Sequence, residues 1–114
     1  MRKQRIEQAA YQVATQVRAV EETIDTVLAE IAELQARIMR ANAVAGAGVA
    51  TGHKAIQELT SALQGVVSAR GAMGNCHAAL VDAKGRVPGL RTVSFGDGTE
   101  CPPQEGFGNL RVVA

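Results

Sequence analysis

Apolar side chains recur from Ile6 to Ala45 in alternating steps of three and four residues, without a break. Counted in sevens, Ala10, Val17, Ile24, Ile31, Ile38 and Ala45 share one position. Ile6, Val13, Val20, Val27, Leu34 and Ala41 share a second, three residues after the first. On an α-helix this spacing gathers the side chains into one stripe, the seam along which helices pack as a coiled coil. No Gly or Pro falls between Met1 and Val44, and Glu, Gln and Arg fill many of the remaining positions. The pattern predicts one helix from Lys3 to about Val44, roughly 63 Å long. A helix of that length cannot bury its own stripe, so the seam must meet another helix, from a second chain or from the same chain folded back.

The identity of the seam residues bears on how many helices meet. Valine and isoleucine occupy both positions, whereas parallel dimers prefer leucine at the second, and branching at both shifts the preference toward three or four strands. Leu28 and Met39 lie beside the strict seam and widen the apolar stripe. The expectation is a homo-oligomer, trimer or higher.

From Ala41 the composition changes to an uncharged Ala/Gly passage with glycines at 46, 48 and 52. Each glycine costs a helix about 1 kcal/mol relative to alanine, which marks this passage as the place for a turn, with Thr51 available to cap a following helix. The heptad frame nevertheless keeps its phase. Its first position continues through Gly52, Leu59, Val66, Met73 and Leu80, its second through Gly48, Ala55, Ala62, Ala69 and Cys76. Glycine clustering favours a hairpin turning at 45–52, and the unbroken frame favours a continuous helix of about 80 residues. A second helical stretch runs in either case from about Gly52 to Lys84, where Lys84, a left-handed Gly85 and Pro88 form a stop signal.

The sequence thus divides into a coiled-coil or helical-bundle region at 1–85 and a Gly/Pro-rich appendage at 86–114. In the appendage, residues 91–95 read as a strand, 96–98 as a tight turn and 99–101 as a return strand, with a last short strand at 109–113. The expected fold class is all-α: long heptad-patterned helices in an oligomeric bundle, with a small appendage of short strands.

Several function classes find no support in this pattern. The Gly46, Gly48 and Gly52 cluster follows a helix rather than a strand and lacks the Gly-Lys-Ser/Thr ending of a phosphate loop. Cys76 and His77 are adjacent and point about 100° apart on a helix, with no second paired ligand in sequence, so a structural thiol and a solvent-edge histidine are expected rather than a metal site. Asp97, Glu100 and Glu105 lack the order of a calcium loop. No cofactor, metal or catalytic residue is assigned. The formal charge is +1 with charges interspersed, so nucleic acid is not an expected partner, and the Arg2, Lys3 and Arg5 cluster reads as a solvated terminus. That basic start is followed by Glu7, Gln8, Gln12 and Gln16 rather than an apolar core, so it does not read as a secretory signal, and no run approaches a membrane span. Cytoplasmic synthesis is expected, with incorporation into a virion or larger particle.

The only aromatic residues are Tyr11, Phe95 and Phe107, too few large fillers for a compact core around a deep pocket. The expected function is that of a non-enzymatic structural or assembly protein. It would self-associate through Ile6, Ala10, Val13, Val17, Val20, Ile24, Val27, Ile31, Leu34, Ile38, Leu59, Val66, Met73 and Leu80, and meet other structural proteins through the appendage. The alternative is a helical-hairpin adaptor, or secretion-chaperone-like module, that binds a partner helix.

Overall fold

A computed structural model describes residues 2–90 and places two α-helices in them: α1, Arg2–Val44, and α2, Val49–Gly85. The described chain is all-helical, and the strands expected at 91–95, 99–101 and 109–113 lie outside the described residues. The continuous helix of about 80 residues is not formed, because the chain turns at 45–48.

The turn has a specific local cause. Gly46 adopts φ 67°, the left-handed conformation that a Cβ disfavours. With Gly46 there, its N–H donates to the Ala43 carbonyl at 3.1 Å, and the Ala47 N–H donates to the Asn42 carbonyl at 3.1 Å. These two bonds are the Schellman pair, which satisfies carbonyls that the end of α1 would otherwise leave open. Helix α2 begins at Val49, ahead of Thr51, and the Thr51 N–H donates to the Gly48 carbonyl at 3.1 Å. Thr51 therefore lies inside the first turn of α2 and is not its cap; Gly48 occupies the position before the helix.

The far end of α2 also differs in detail from its sequence signal. Gly85 is the last helical residue, and the left-handed glycine is Gly89, at φ 90°. Arg86 and Val87 close onto the carbonyls of Ala83 and Lys84 at 3.0 and 3.2 Å, tightening the helix end. A second turn follows, with Pro88 and Gly89 at its centre and the Leu90 N–H on the Val87 carbonyl at 3.0 Å. Proline first and a positive-φ glycine second define a type II turn.

The chain forms two compact units, Met1–Arg18 with Gly74–Ala114 and Ala19–Met73. In the second, α1 and α2 form an antiparallel hairpin: Arg70 Nε donates to Asp25 Oδ1 at 2.8 Å, and a Cβ placed on Gly52 would lie 3.4 Å from Asn42 Oδ1. Its partly buried residues include Glu21, Ile24, Leu28, Ile31, Ile38 and Asn42 on α1, and Gly52, Ile56, Leu59, Leu63, Val66 and Met73 on α2. In the first unit the corresponding residues are Ile6, Glu7, Ala10, Ala14, Val17 and Arg18 with His77, Val81, Lys84 and Val87. Leu90, 5% exposed, is the one buried residue among those described.

The glycines separate two roles and generate a prediction. Gly46→Ala forces a Cβ into the left-handed region and should destabilise the fold by about 1 kcal/mol. Gly71 sits mid-helix with no atom within 4 Å of the position a Cβ would take, so Gly71→Ala should stabilise by up to about 1 kcal/mol. Urea denaturation followed by circular dichroism should show the two midpoints moving in opposite directions.

Candidate functional site

An antiparallel helix pair has a seam and two flanks, and the flanks here differ in chemistry. The first heptad position lies on the seam: Ala10, Val17, Ile24, Ile31 and Ile38 on α1, and Leu59, Val66 and Met73 on α2 are partly buried. Leu80 of the same column is 37% exposed. The line that completes this seam runs four residues after the first position, through Ala14, Glu21, Leu28 and Asn42, with Ile56, Leu63, His77 and Lys84 on α2, whereas Gln35 and Arg70 of the same line are exposed. It is not the line three residues after. Within that latter line Val13, Val27 and Leu34 are 47%, 39% and 47% exposed, while Ile6 and Val20 are partly buried. Their counterparts on α2, Ala55, Ala62, Ala69 and Cys76, are exposed.

Reversal of chain direction in an antiparallel pair brings equivalent flanks of the two helices to the same side. In the unit Met1–Arg18 with Gly74–Ala114, Val13 of α1 and Ala83 of α2 line one groove, together with Ala10, Val17, Leu80, Val87 and Leu90. The groove holds about 220 Å³. Arg18, His77 and Lys84 are its polar lining residues, and no hydroxyl, thiol or carboxylate side chain lies among them. In the unit Ala19–Met73, Met39 and His53 line a concavity on one flank, with Asn42 and Ile56 between them. The other flank of that unit is therefore the one that carries Val27, Leu34 and Ala41 of α1 beside Ala55, Ala62 and Ala69 of α2.

Charged side chains border this apolar flank: Glu30 and Arg37 lie three residues after Val27 and Leu34, and Glu58 three after Ala55. Arg37 pairs with Glu33 at 3.1 Å and Lys54 with Glu58 at 3.1 Å, each along its own helix. Such exposed pairs support a helix by about 0.3–0.5 kcal/mol. The cross-helix bond of Arg70 to Asp25 holds the guanidinium above its ordinary pKa, first by that hydrogen bond, then by the Asp25 charge, with a further contribution from Glu21. A raised cation pKa means that the stabilisation is fully present below the unfolded-state value and is lost only as pH rises through the folded one, in strongly alkaline solution. The pair's contribution is accordingly constant through neutral pH as far as Arg70 determines it.

Cys76 is exposed and unbridged, and Cys101 lies outside the described residues. Among the described residues no group of three or more His, Cys, Asp or Glu side chains is placed to hold a metal ion, and no helix is long and apolar enough to cross a membrane. The sequence reading overlooked the Asp25–Arg70 bond. Its signal was an arginine interrupting the otherwise apolar 56, 59, 63, 66 and 73 spacing of α2, which implies an acidic partner across the seam. Comparison with protein-family models, curated proteins and solved structures finds no match for this chain.

The seam and its ion pair should differ in energetic weight. Ile31→Ala removes part of a partly buried side chain and should destabilise the hairpin by about 1–3 kcal/mol, at or below the usual range for a fully buried isoleucine. Arg70→Ala removes an exposed pair, with Arg70 and Asp25 side chains 60% and 58% exposed, and should cost less than about 1 kcal/mol. Chemical denaturation of the two variants checks this order.

Proposed function

We propose that this chain is a non-enzymatic structural or assembly component that self-associates through its helices and forms part of a larger particle, such as a phage virion or tail or a bacterial envelope assembly. The observation that supports the reading is the second heptad column. Val13, Val27 and Leu34 repeat at helical spacing, yet they remain 47%, 39% and 47% exposed. Apolar stripes of this kind on a soluble helix are normally covered by a partner or are a liability for aggregation.

Self-association supplies the cover. Each chain contributes two helices to such an assembly. The segment after Leu90 is proposed to contact the next component of the assembly.

A second reading is a hairpin adaptor or secretion-chaperone-like module. The apolar groove lined by Val13, Leu80 and Val87 favours it, because a partner helix could lay its apolar face there.

Sedimentation equilibrium at several loading concentrations separates the two. A structural component should sediment as an oligomer, and its thermal midpoint should rise with protein concentration, because association stabilises the folded state by mass action. A monomer throughout, with a midpoint independent of concentration, supports the adaptor instead.

A further inference from the structure

We propose that two copies of this chain pack through the apolar flank of the unit Ala19–Met73, with α1 of each copy lying on α2 of the other. The proposal rests on the self-association reading above and assigns its surface. The flank is chemically one-sided: Val27, Leu34 and Ala41 come from α1, and Ala55, Ala62 and Ala69 from α2. In this column the larger side chains, Val27 and Leu34, lie on one helix and only methyl groups on the other, with Glu30, Arg37 and Glu58 along its border. Such a surface is complementary to itself. A two-fold axis parallel to the helices sets the larger column of each copy over the smaller column of the other, so that valine and leucine enter the spaces left by alanine.

The register of the hairpin makes the match specific. Asp25 is level with Arg70, and Asn42 with Gly52. The same register puts Leu34 level with Ala62, Val27 with Ala69 and Ala41 with Ala55. The two-fold operation then carries each larger residue onto the alanine at its own level in the partner. All four helices run antiparallel to their neighbours, the arrangement of a four-helix bundle.

The area is adequate for a stable pair. Val20 to Ala41 spans about 33 Å of helix, and two helices side by side are about 20 Å across. Each copy therefore offers roughly 650 Å², and the pair covers roughly 1,300 Å², within the range of specific interfaces. The opposite flank is a poorer candidate, since it presents the charged Asp25–Arg70 pair with His53 and Met39.

The test compares the wild-type full chain with two variants by sedimentation equilibrium, with circular dichroism reporting helix content. The wild type should sediment as an even-numbered assembly. Val27→Asp/Leu34→Asp, which alters exposed positions only, should halve the mass while the helices remain. Met39→Asp, 54% exposed in the wild type and on the other flank, should leave the mass unchanged. Should the aspartate variant fail to fold, a chain carrying Leu34→Cys is mixed with one carrying Ala62→Cys, both with Cys76→Ser and Cys101→Ser. Oxidation should then give the covalent heterodimer in preference to either homodimer. An assembly that survives Val27→Asp/Leu34→Asp, or that cross-links chiefly as the Leu34→Cys homodimer, overturns the assigned face while the self-association reading stands. A monomeric wild type overturns both.

Discussion

Two helices lying side by side can cover each other along one line only, and the rest of this structure follows from that limit. In the hairpin of Ala19–Met73 the line is Ile24, Leu28, Ile31 and Ile38 against Ile56, Leu59, Leu63 and Val66, and each of these side chains remains partly exposed. Full burial of such a side chain contributes about 1.5–3 kcal/mol, and partial burial only a fraction of that. Ordering each residue of the backbone costs about 1–2 kcal/mol. A single seam therefore offsets little of the cost of ordering two long helices, and every local contribution gains weight. The Schellman closure at Gly46, the pairs of Glu33 with Arg37 and Lys54 with Glu58, and the Asp25–Arg70 bond all act at this margin.

Which residues enter the seam is decided by pairing rather than by hydrophobicity alone. The first heptad column can form a three-four stripe with the apolar line three residues later or with the mixed line four residues later. The hairpin uses the mixed line. Asn42 and Glu21 are partly buried while the more apolar Leu34 and Val27 are left outside. Close to the turn the two backbones must approach, and Gly52 gives the Asn42 side chain room there. Farther along, Arg70 meets Asp25 with Glu21 nearby. In the inner line Arg70 thus has a partner across the seam and Asn42 donates to the Gly48 carbonyl in the turn, whereas Val27 and Leu34 of the outer line remain exposed. An apolar column that a helix pair sets aside is surplus to the pair and is available to something larger.

The helices, their ends and half of the seam were legible in the sequence, because each is fixed by local chemistry. The absence of glycine and proline up to Val44, the glycine cluster after it and the Lys84, Gly85 and Pro88 stop are short-range signals, and α1 and α2 end where these signals lie. The first seam column was legible too, since it belongs to either stripe. The second column was not, because a periodicity count rewards Val13, Val27 and Leu34 over Ala14, Glu21 and Leu28 without knowing what each would face. Only the antiparallel register supplies that information, and it depends on contacts some forty residues apart, such as Asp25 with Arg70. The left-handed residue near the end of α2 was misplaced for a smaller reason: Gly85 and Gly89 both flank the stop, and Pro88 pre-sets the turn that makes use of Gly89.

The heptad phase that persists through residues 41–52 has a reading that differs from the one its continuity first suggests. An unbroken frame argues for an unbroken helix only if a turn would be expected to shift it. Here the last residue of the first column on α1 is Ile38 and the first of the same column on α2 is Gly52, an interval of two whole heptads that spans the connection at 45–48. The connection has just the length at which both helices present the same column to the seam. Frame continuity is then a property of the hairpin as much as of a rod, and it carries no weight between them. The deciding quantity is backbone conformation at one residue, Gly46 at φ 67°, a conformation that an L side chain rarely adopts and that α-helix cannot pass through. A long-range periodicity is therefore outweighed by a single dihedral angle, because the periodicity is compatible with either path and the angle with only one.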